Sequence, residues 1–290
     1  MKSFTGKVAA ITGAGSGMGR TLAIQLAKEG CGLALSDIDE KGLAATVEMV
    51  SRFGVRVTST KLDVSNKEAV FAWADDTAKE HGKVNMIFNN AGVALSGTVP
   101  ALKLEDYEWI MGINFWGVVY GTKAFLPHLE ASGEGHIINT SSIFGLASQP
   151  LMSGYNASKF GVRGFTESLR QDLEISGSCV SASCVHPGGI KTNIAKTARM
   201  DDSSTAVTGV DKETSVREFE KLFTTTAEQA ANVILNGVRK NKRRILIGAD
   251  ARMFEILVRI FPASYQWIFT KAIQLNSKMA AKKAAKQKSA

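Results

Sequence analysis

The sequence predicts an α/β protein, a parallel β-sheet covered by helices on both faces. Three observations lead there. From Lys7 to Val185, short β-rich segments alternate with longer helical ones. The short segments are almost continuously apolar or small, as strands buried on both faces must be. Only five prolines occur, with no internal repeat and no Pro/Ser-rich linker, so the alternation runs through one continuous domain.

The elements follow in order. KVAAIT (7–12) reads as the first strand and runs through glycines into a helix near 17–30. GLALSD (32–37) precedes a helix near 40–52 with Asp39 as its N-cap. VRVTSTK (55–61) precedes a helix near 66–81 capped by Ser65, and VNMIFN (84–89) is the next strand. A long helical stretch near 105–131 leads to GHIINT (135–140), and another near 154–176 leads to CVSASCV (179–185). RRILIG (243–248) is a last strand, expected at the sheet edge. Gly or polar turns flank these strands. Residues 190–224 break the rhythm and read as polar and irregular. The expected division is one domain over 1–250 and an amphipathic, Lys-rich helical extension over 251–290.

Composition narrows the class. The 290 residues are 44% hydrophobic and 21% charged, enough for a sizeable core. That balance excludes a disordered chain, a collagen-like repeat and a disulfide scaffold. Cys31, Cys179 and Cys184 are few, odd in number and without zinc spacing, which suits a reducing compartment. His81, His128, His136 and His186 are scattered, so no metal site is predicted. His186 reads as a strand-end residue making one backbone hydrogen bond. No charged-then-apolar leader and no run near 18 apolar residues are present, and the expected location is cytoplasmic.

Charge is uneven. Residues 239–290 hold 13 Lys and Arg against Asp250 and Glu255, a net +11, while the whole chain carries +8. The preceding residues therefore sum to −3, and no nucleic-acid partner is expected of such a body.

The first strand runs into Thr12-Gly13-Ala14-Gly15-Ser16-Gly17-Met18-Gly19, which opens a helix. Backbone N–H groups and the helix dipole at such a turn can receive a pyrophosphate. The GxGxxG spacing fails at Met18 and Arg20, whereas TGxxxGxG fits. The second strand ends at Asp37, twenty residues after Gly17. A carboxylate there accepts hydrogen bonds from the adenosine ribose and repels a 2′-phosphate, and Ile38 supplies no cation for that phosphate. The predicted cofactor is NAD, with NADP less favoured.

Further on stand Asn114, Ser142, Tyr155 and Lys159. Tyr155 and Lys159 are four apart and share a helix face. A phenol is a poor acid or base at neutral pH, but an adjacent ammonium favours its phenolate. A hydroxyl opposite could hold a substrate oxygen for proton transfer.

Over roughly residues 5–250 the sequence resembles the short-chain dehydrogenase/reductase family. The motifs are TGAGSGMG (12–19), Asp63-Val64, Asn89-Asn90-Ala91-Gly92, Asn114, Ser142, Tyr155-x-x-x-Lys159 and Pro187-Gly188. The resemblance implies a Rossmann-type doubly wound sheet of about seven strands and hydride transfer between NAD(P) and an alcohol or ketone. It makes Tyr155 the general acid/base, Ser142 the group orienting substrate oxygen, and Lys159 the residue that binds ribose and lowers the Tyr155 pKa. Asn114 holds a water that continues the proton path. Gly13, Ser16, Gly17, Met18 and Gly19 receive the pyrophosphate, Asp37 and Ile38 lie at the adenosine ribose, and Asp63 with Val64 frames adenine. Asn90, Ala91 and Gly92 line the neighbouring ribose, while Pro187, Gly188, Ile190 and Thr192 hold the nicotinamide end. Residues 190–224 become a mobile substrate lid. A homodimer or homotetramer built through the helices at 105–131 and 154–176 is also implied. The rival readings are an NADP-dependent carbonyl reductase and a non-catalytic NAD-binding scaffold.

Ala94, Leu95, Phe144, Gln149, Leu151, Met152 and Gly189 are candidate pocket residues. Their apolar bias suggests a lipophilic substrate such as a long-chain alcohol, steroid or terpenoid. In the extension, Phe254, Leu257, Val258 and Phe261 share a helical face, Pro262 interrupts, and Tyr265, Ile268, Phe269, Ala272 and Ile273 resume the pattern with Trp267 beside it. Lys271, Lys278, Lys282, Lys283, Lys286 and Lys288 follow with no acid among them. Burial of this stripe on a neighbouring subunit or over the active site is the favoured expectation. Peripheral contact with an anionic membrane is the alternative.

Overall fold

The computed structural model describes residues 1–221 and 223–288, apart from the side chains of Phe219 and residues 278–288. Lys278, Lys282, Lys283, Lys286 and Lys288 of the predicted basic tail thus have side chains outside the described set.

Seven strands form the central sheet: β1 (Val8–Thr12), β2 (Gly32–Asp37), β3 (Val57–Lys61), β4 (Met86–Asn89), β5 (Gly135–Thr140), β6 (Val180–Pro187) and β7 (Arg244–Ile247). Their order is β7-β6-β5-β4-β1-β2-β3, with every pair parallel. All seven match predicted segments, and RRILIG does lie at an edge. The order reverses between β1 and β4, so a crevice opens at the carboxyl ends of these two strands.

Strand period sorts the core. Ala9, Ile11, Leu33, Leu35, Met86 and Phe88 point to one face, where α1 (Gly17–Lys28), α2 (Glu40–Ser51) and α9 (Ala227–Arg239) pack. Ala10, Ala34, Ile87 and Ile137 point to the other, beneath α3 (Lys67–His81), α5 (Gly117–Ala131) and α6 (Ser153–Ile175). With apolar side chains on both faces, β1, β2 and β4 read as nearly continuous apolar runs, whereas the edge strand β3, VTSTK, is polar and largely exposed.

Three local expectations are corrected. Asn66, not Ser65, caps α3, its side chain accepting from Ala69 N at 3.0 Å. The Ser65 hydroxyl is committed to Asp63 Oδ1 at 2.7 Å. The single helix expected over 105–131 is α4 (Leu104–Met111), a π-helical turn (Gly112–Trp116) and α5, so the wider turn sits at Asn114. Residues 190–224 are not irregular. They contain α7 (Asp202–Thr208) and α8 (Lys212–Lys221), which looked like loop because they are rich in polar residues and their charged side chains face solvent. The segment is pinned by two short parallel pairings, Ile190–Lys191 with Thr225–Thr226 and Leu95–Ser96 with Arg199–Met200. Helix α9 had no predicted counterpart, although Thr226 and Gln229 form a capping box at its start.

After β7, α10 (Ala249–Ile260) and α11 (Tyr265–Lys288) form the helical extension. Arg244 on β7 bonds Glu167 on α6 and, at 2.7 Å, Glu255 on α10. Arg163 on α6 joins through Glu167 at 3.2 Å, and Arg259 through Glu255 at 3.0 Å.

Candidate active site

The predicted residues converge at the carboxyl ends of the strands. Thr12 closes β1, and its Oγ1 accepts the amides of Asn90 and Ala91, each at 3.0 Å. Asn90 Nδ2 returns to the carbonyls of Thr12 at 3.1 Å and Gly13 at 3.3 Å. This stitches the glycine turn to the end of β4. Gly13 has φ +67°, and a Cβ there would lie 2.9 Å from Ala91 Cα. At Gly19 a Cβ would lie 2.1 Å from the Gly13 carbonyl oxygen. Only glycine lets the chain fold this tightly. Arg20 fastens the turn to α2 through Thr46 Oγ1 at 2.9 Å, Gly42 O at 3.1 Å and Gly15 O.

Asp37 closes β2. Its carboxylate accepts from Gly15 N at 2.7 Å and from Asp39 N at 2.9 Å, which aims it along the glycine turn. Ile38 beside it is 63% exposed, so an apolar side chain flanks the carboxylate. Asp63 is exposed and holds its own turn through Ser65 N at 2.9 Å, while Val64 is buried against Gly117.

Two buried asparagines place α6, the helix of Tyr155 and Lys159. Asn89 Nδ2 donates to Asn139 Oδ1 at 2.8 Å, and Asn139 Nδ2 donates to Thr166 Oγ1 on α6 at 3.0 Å. The first turns of α6 thereby reach the cleft. Tyr155 is 7% exposed and Lys159 3% exposed. The Ser142 hydroxyl accepts from Phe144 N at 3.1 Å and acts on the Tyr155 phenol to favour its ionised form. Lys159 Nζ donates to Thr140 O at 3.1 Å and lies 5.7 Å from the Tyr155 ring centroid. Asn114, fully buried in the π-turn, bonds Val93 N and O at 2.8 and 2.9 Å and Ser158 Oγ at 3.2 Å. Gly92 faces both, since a Cβ there would be 3.2 Å from Asn114 Oδ1 and 3.4 Å from Lys159 Nζ. The four predicted catalytic residues thus form one buried cluster around the crevice.

Electrostatics qualify one expectation. Burial raises the Tyr155 pKa, and the Ser142 hydrogen bond opposes it only in part. Burial pushes the Lys159 ammonium down to about 8. In the protein alone burial governs both groups, and Lys159 is not among the groups that lower the phenol there.

His186, as expected, makes one backbone bond, between Nδ1 and the Ser142 carbonyl at 2.9 Å, which fixes the main chain at that serine. Burial pushes its imidazole down to about 4. Sequence reasoning missed Asp250. Its Oδ2 accepts from Gly189 N at 2.7 Å and its Oδ1 from Ala251 N at 2.9 Å. A Cβ on Gly188 would come within 2.3 Å of this carboxylate, so the Pro187-Gly188-Gly189 segment and the start of α10 are built around it. Thr192 packs across from Gly17, where a Cβ would be 3.1 Å from Thr192 Cγ2. Ile190 is buried and continues the same segment.

The candidate substrate residues separate. The Phe144 ring lies 6.4 Å from that of Tyr155, and Ala94, Leu95 and Met152 pack in the same cluster. Gln149 and Leu151 instead line a cavity of about 650 Å³ with Val99, Ala157 and Phe160. Leu151 has φ +65° at its rim and accepts from Gly97 N at 2.8 Å.

The cleft meets the demands of a dinucleotide. The Asn90 Oδ1 atom is buried without a hydrogen-bond partner and can accept from a ribose hydroxyl. The glycine turn offers amides at the α1 N-terminus, and Asp37 stands where a second ribose would reach it.

Comparison with known proteins agrees. A sequence profile described as short chain dehydrogenase matches residues 7–203. SadH of Mycobacterium tuberculosis, assigned as an oxidoreductase, is 49% identical over 267 residues, covering 92% of this chain and 95% of its own. Human estradiol 17-beta-dehydrogenase 11 is 29% identical over 277 residues, covering 94% and 85%. The crystal structure of a short chain dehydrogenase/reductase from Burkholderia phymatum in complex with NAD superposes with a TM-score of 0.80. It is 33% identical and covers 90% of this chain and 96% of its own.

Proposed function

The chain belongs to the short-chain dehydrogenase family, and from that premise we propose that it is an NAD-dependent oxidoreductase interconverting a lipophilic alcohol with its ketone or aldehyde. One observation carries the reading: Ser142, Tyr155, Lys159 and Asn114 are buried together beside the glycine turn. A scaffold that only bound nucleotide would have no use for this set.

NAD, when bound, supplies the acceptor for the carbinol hydride. Gly13, Ser16, Gly17, Met18 and Gly19 would hold its pyrophosphate, Asp37 with Ile38 its adenosine ribose, and Asp63 with Val64 its adenine. Asn90, Ala91 and Gly92 would line the second ribose, and Pro187, Gly188, Ile190 and Thr192 the nicotinamide end. Asp37 disfavours a 2′-phosphate, and the solved relative from Burkholderia contains NAD.

The protein's own groups handle the proton. In oxidation Tyr155 Oη, as phenolate, takes the proton of the substrate hydroxyl while Ser142 Oγ holds that oxygen. The Lys159 ammonium favours the phenolate, and Asn114 holds a water that passes the proton outward. In reduction the neutral phenol returns it.

Residues 1–250 form the catalytic domain on this reading, with 190–224 as the lid over the substrate. The apolar surroundings of Tyr155, chiefly Phe144, Leu95 and Met152, favour a lipophilic substrate, with Gln149 and Gly189 as further candidate contacts. The human relative named for estradiol has the same tendency. The enzyme works as a homodimer or homotetramer through α4, α5 and α6.

A panel of soluble and lipophilic alcohols offered with NAD and with NADP, read at the reduced-nicotinamide absorbance, tests the proposal. NAD-linked oxidation of at least one lipophilic alcohol is expected. Calorimetric NAD binding with no turnover across the panel would leave the scaffold reading in its place, and preference for NADP would make it a carbonyl reductase of the other cofactor class.

A further inference from the structure

Helices α10 and α11 each have two unlike faces. Inward, Phe254 meets Phe269 with ring centroids 5.6 Å apart, and Tyr265 meets Phe269 at 5.7 Å. Tyr265 is 6% exposed, and its hydroxyl accepts from Ser148 N at 3.1 Å. Helix α10 packs on residues 143–145, and α11 packs on α7. The favoured sequence expectation is met in part, since the inner stripe covers this chain's own active-site side.

Outward the picture differs. Met253, Ile256 and Ile260 follow each other on α10 at 58, 57 and 63% exposure. On α11, Trp267 and Leu275 are 65 and 60% exposed, and Phe261 in the connecting turn is 48% exposed. Phe261 and Ile268, which the sequence pattern put with the buried stripe, belong to this outer face. Seven large apolar side chains exposed along two successive helices mark an interaction site.

Charge selects the occupant. Arg252, Arg259 and Lys271 border the outer face and are exposed. The two acids of residues 239–290 are already engaged, Asp250 by backbone amides and Glu255 by Arg244 and Arg259. Arg259 is thus paired with Glu255, whereas among the described residues no carboxylate bonds Arg252 or Lys271, which carry the uncompensated charge there. An apolar face with exposed tryptophan and phenylalanine, bordered by cations, matches a helix lying in the plane of an anionic bilayer. No described helix is long and apolar enough to cross a membrane.

We propose that α10 and α11 form a docking surface for an anionic lipid bilayer. Their inner faces rest on the 143–148 segment after Ser142 and on α7, so docking brings the substrate side of the catalytic cluster to the lipid surface. A lipophilic substrate would then enter from the bilayer; that role rests on the function proposed above, whereas the surface itself does not.

Sedimentation of the full-length protein with vesicles tests the surface. Vesicles of phosphatidylcholine with phosphatidylglycerol should carry the protein down, and pure phosphatidylcholine should carry it at least about tenfold less well. The double variant Ile256→Glu/Trp267→Glu should stay in the supernatant, and Arg252→Glu/Lys271→Glu should lose about tenfold in partition. Both should keep the NAD-linked turnover of a soluble alcohol. Equal sedimentation of wild type and variants, or none with either vesicle, overturns the proposal. Self-association that Ile256→Glu/Trp267→Glu abolishes, without vesicle binding, also overturns it and makes the face a contact between copies. Binding is read without turnover, so failure of the substrate reading leaves this result standing.

Discussion

The carboxylate of Asp250 accepts the amide of Gly189 at 2.7 Å, tying the first turn of α10 to the segment that leaves β6. That segment is where the nicotinamide end of the cofactor is proposed to lie. Asp250→Ala removes a charge-assisted bond worth roughly 1.5–3 kcal/mol and frees the segment. NAD dissociation constants measured by calorimetry should rise about tenfold or more, and the melting temperature should fall by a few degrees. An unchanged dissociation constant would show that the carboxylate serves only the fold of α10.

Tyr155→Phe deletes one oxygen from a buried ring that packs on Phe144. Turnover should fall about a thousandfold or more while NAD affinity stays within twofold. Steady-state rates and a calorimetric titration check it, and comparable turnover would remove Tyr155 from the mechanism.

Alcohol oxidation should quicken with rising pH. Burial holds the phenol above its ordinary range, so alkali is needed to populate the phenolate, while ketone reduction uses the neutral phenol and should favour neutral pH. Rates in both directions across pH decide it, and parallel profiles would contradict the assignment.

Cofactor choice should turn on two side chains at the end of β2. Asp37→Ser with Ile38→Arg keeps an acceptor for Gly15 N, removes the repelling charge and adds a cation. NAD efficiency should drop at least about tenfold and NADP should become a substrate, as paired kcat/KM measurements would reveal.

Acid should unfold the protein partly through buried imidazoles. Burial holds His136 at about 3 and His186 at about 4, against the ordinary 6.5. The unfolded chain takes up these protons below 6.5 while the native state does not. The stabilisation is full above 6.5 and is lost as pH falls toward 4, by roughly 3 kcal/mol per histidine. His136→Gln, which can still bond Ser183, should flatten urea midpoints between pH 7 and 5 relative to wild type.

The β/α alternation was legible because most sheet strands are nearly continuous in apolar and small residues, and the candidate site residues because the glycine turn and Ser142 follow strands while Tyr155 and Lys159 stand four apart on one helix. Asp250 was not legible. Its role comes from the approach of β6 and β7, whose partners Ile247 and Pro187 lie 60 residues apart. The π-turn at Asn114 was hidden because its residues continue a helical pattern on both sides, and α8 because its residues face water rather than a core. The glycine motif could be read, but not the bond from Gly15 to Asp37 that orients the carboxylate. The raised phenol pKa of Tyr155 was also invisible, since burial belongs to the packing and not to the YxxxK spacing.

Arg244 has one carboxylate from the helix bearing Tyr155 and Lys159 and another from α10. A chain cut after residue 250 would leave that guanidinium half neutralised and Glu167 shared between Arg163 and an under-compensated neighbour. The extension is therefore a brace for the catalytic helix as well as an outer skin. Trimming it would confound anchoring with rate, and substitution on its exposed face should cost the fold less than substitution at Glu255.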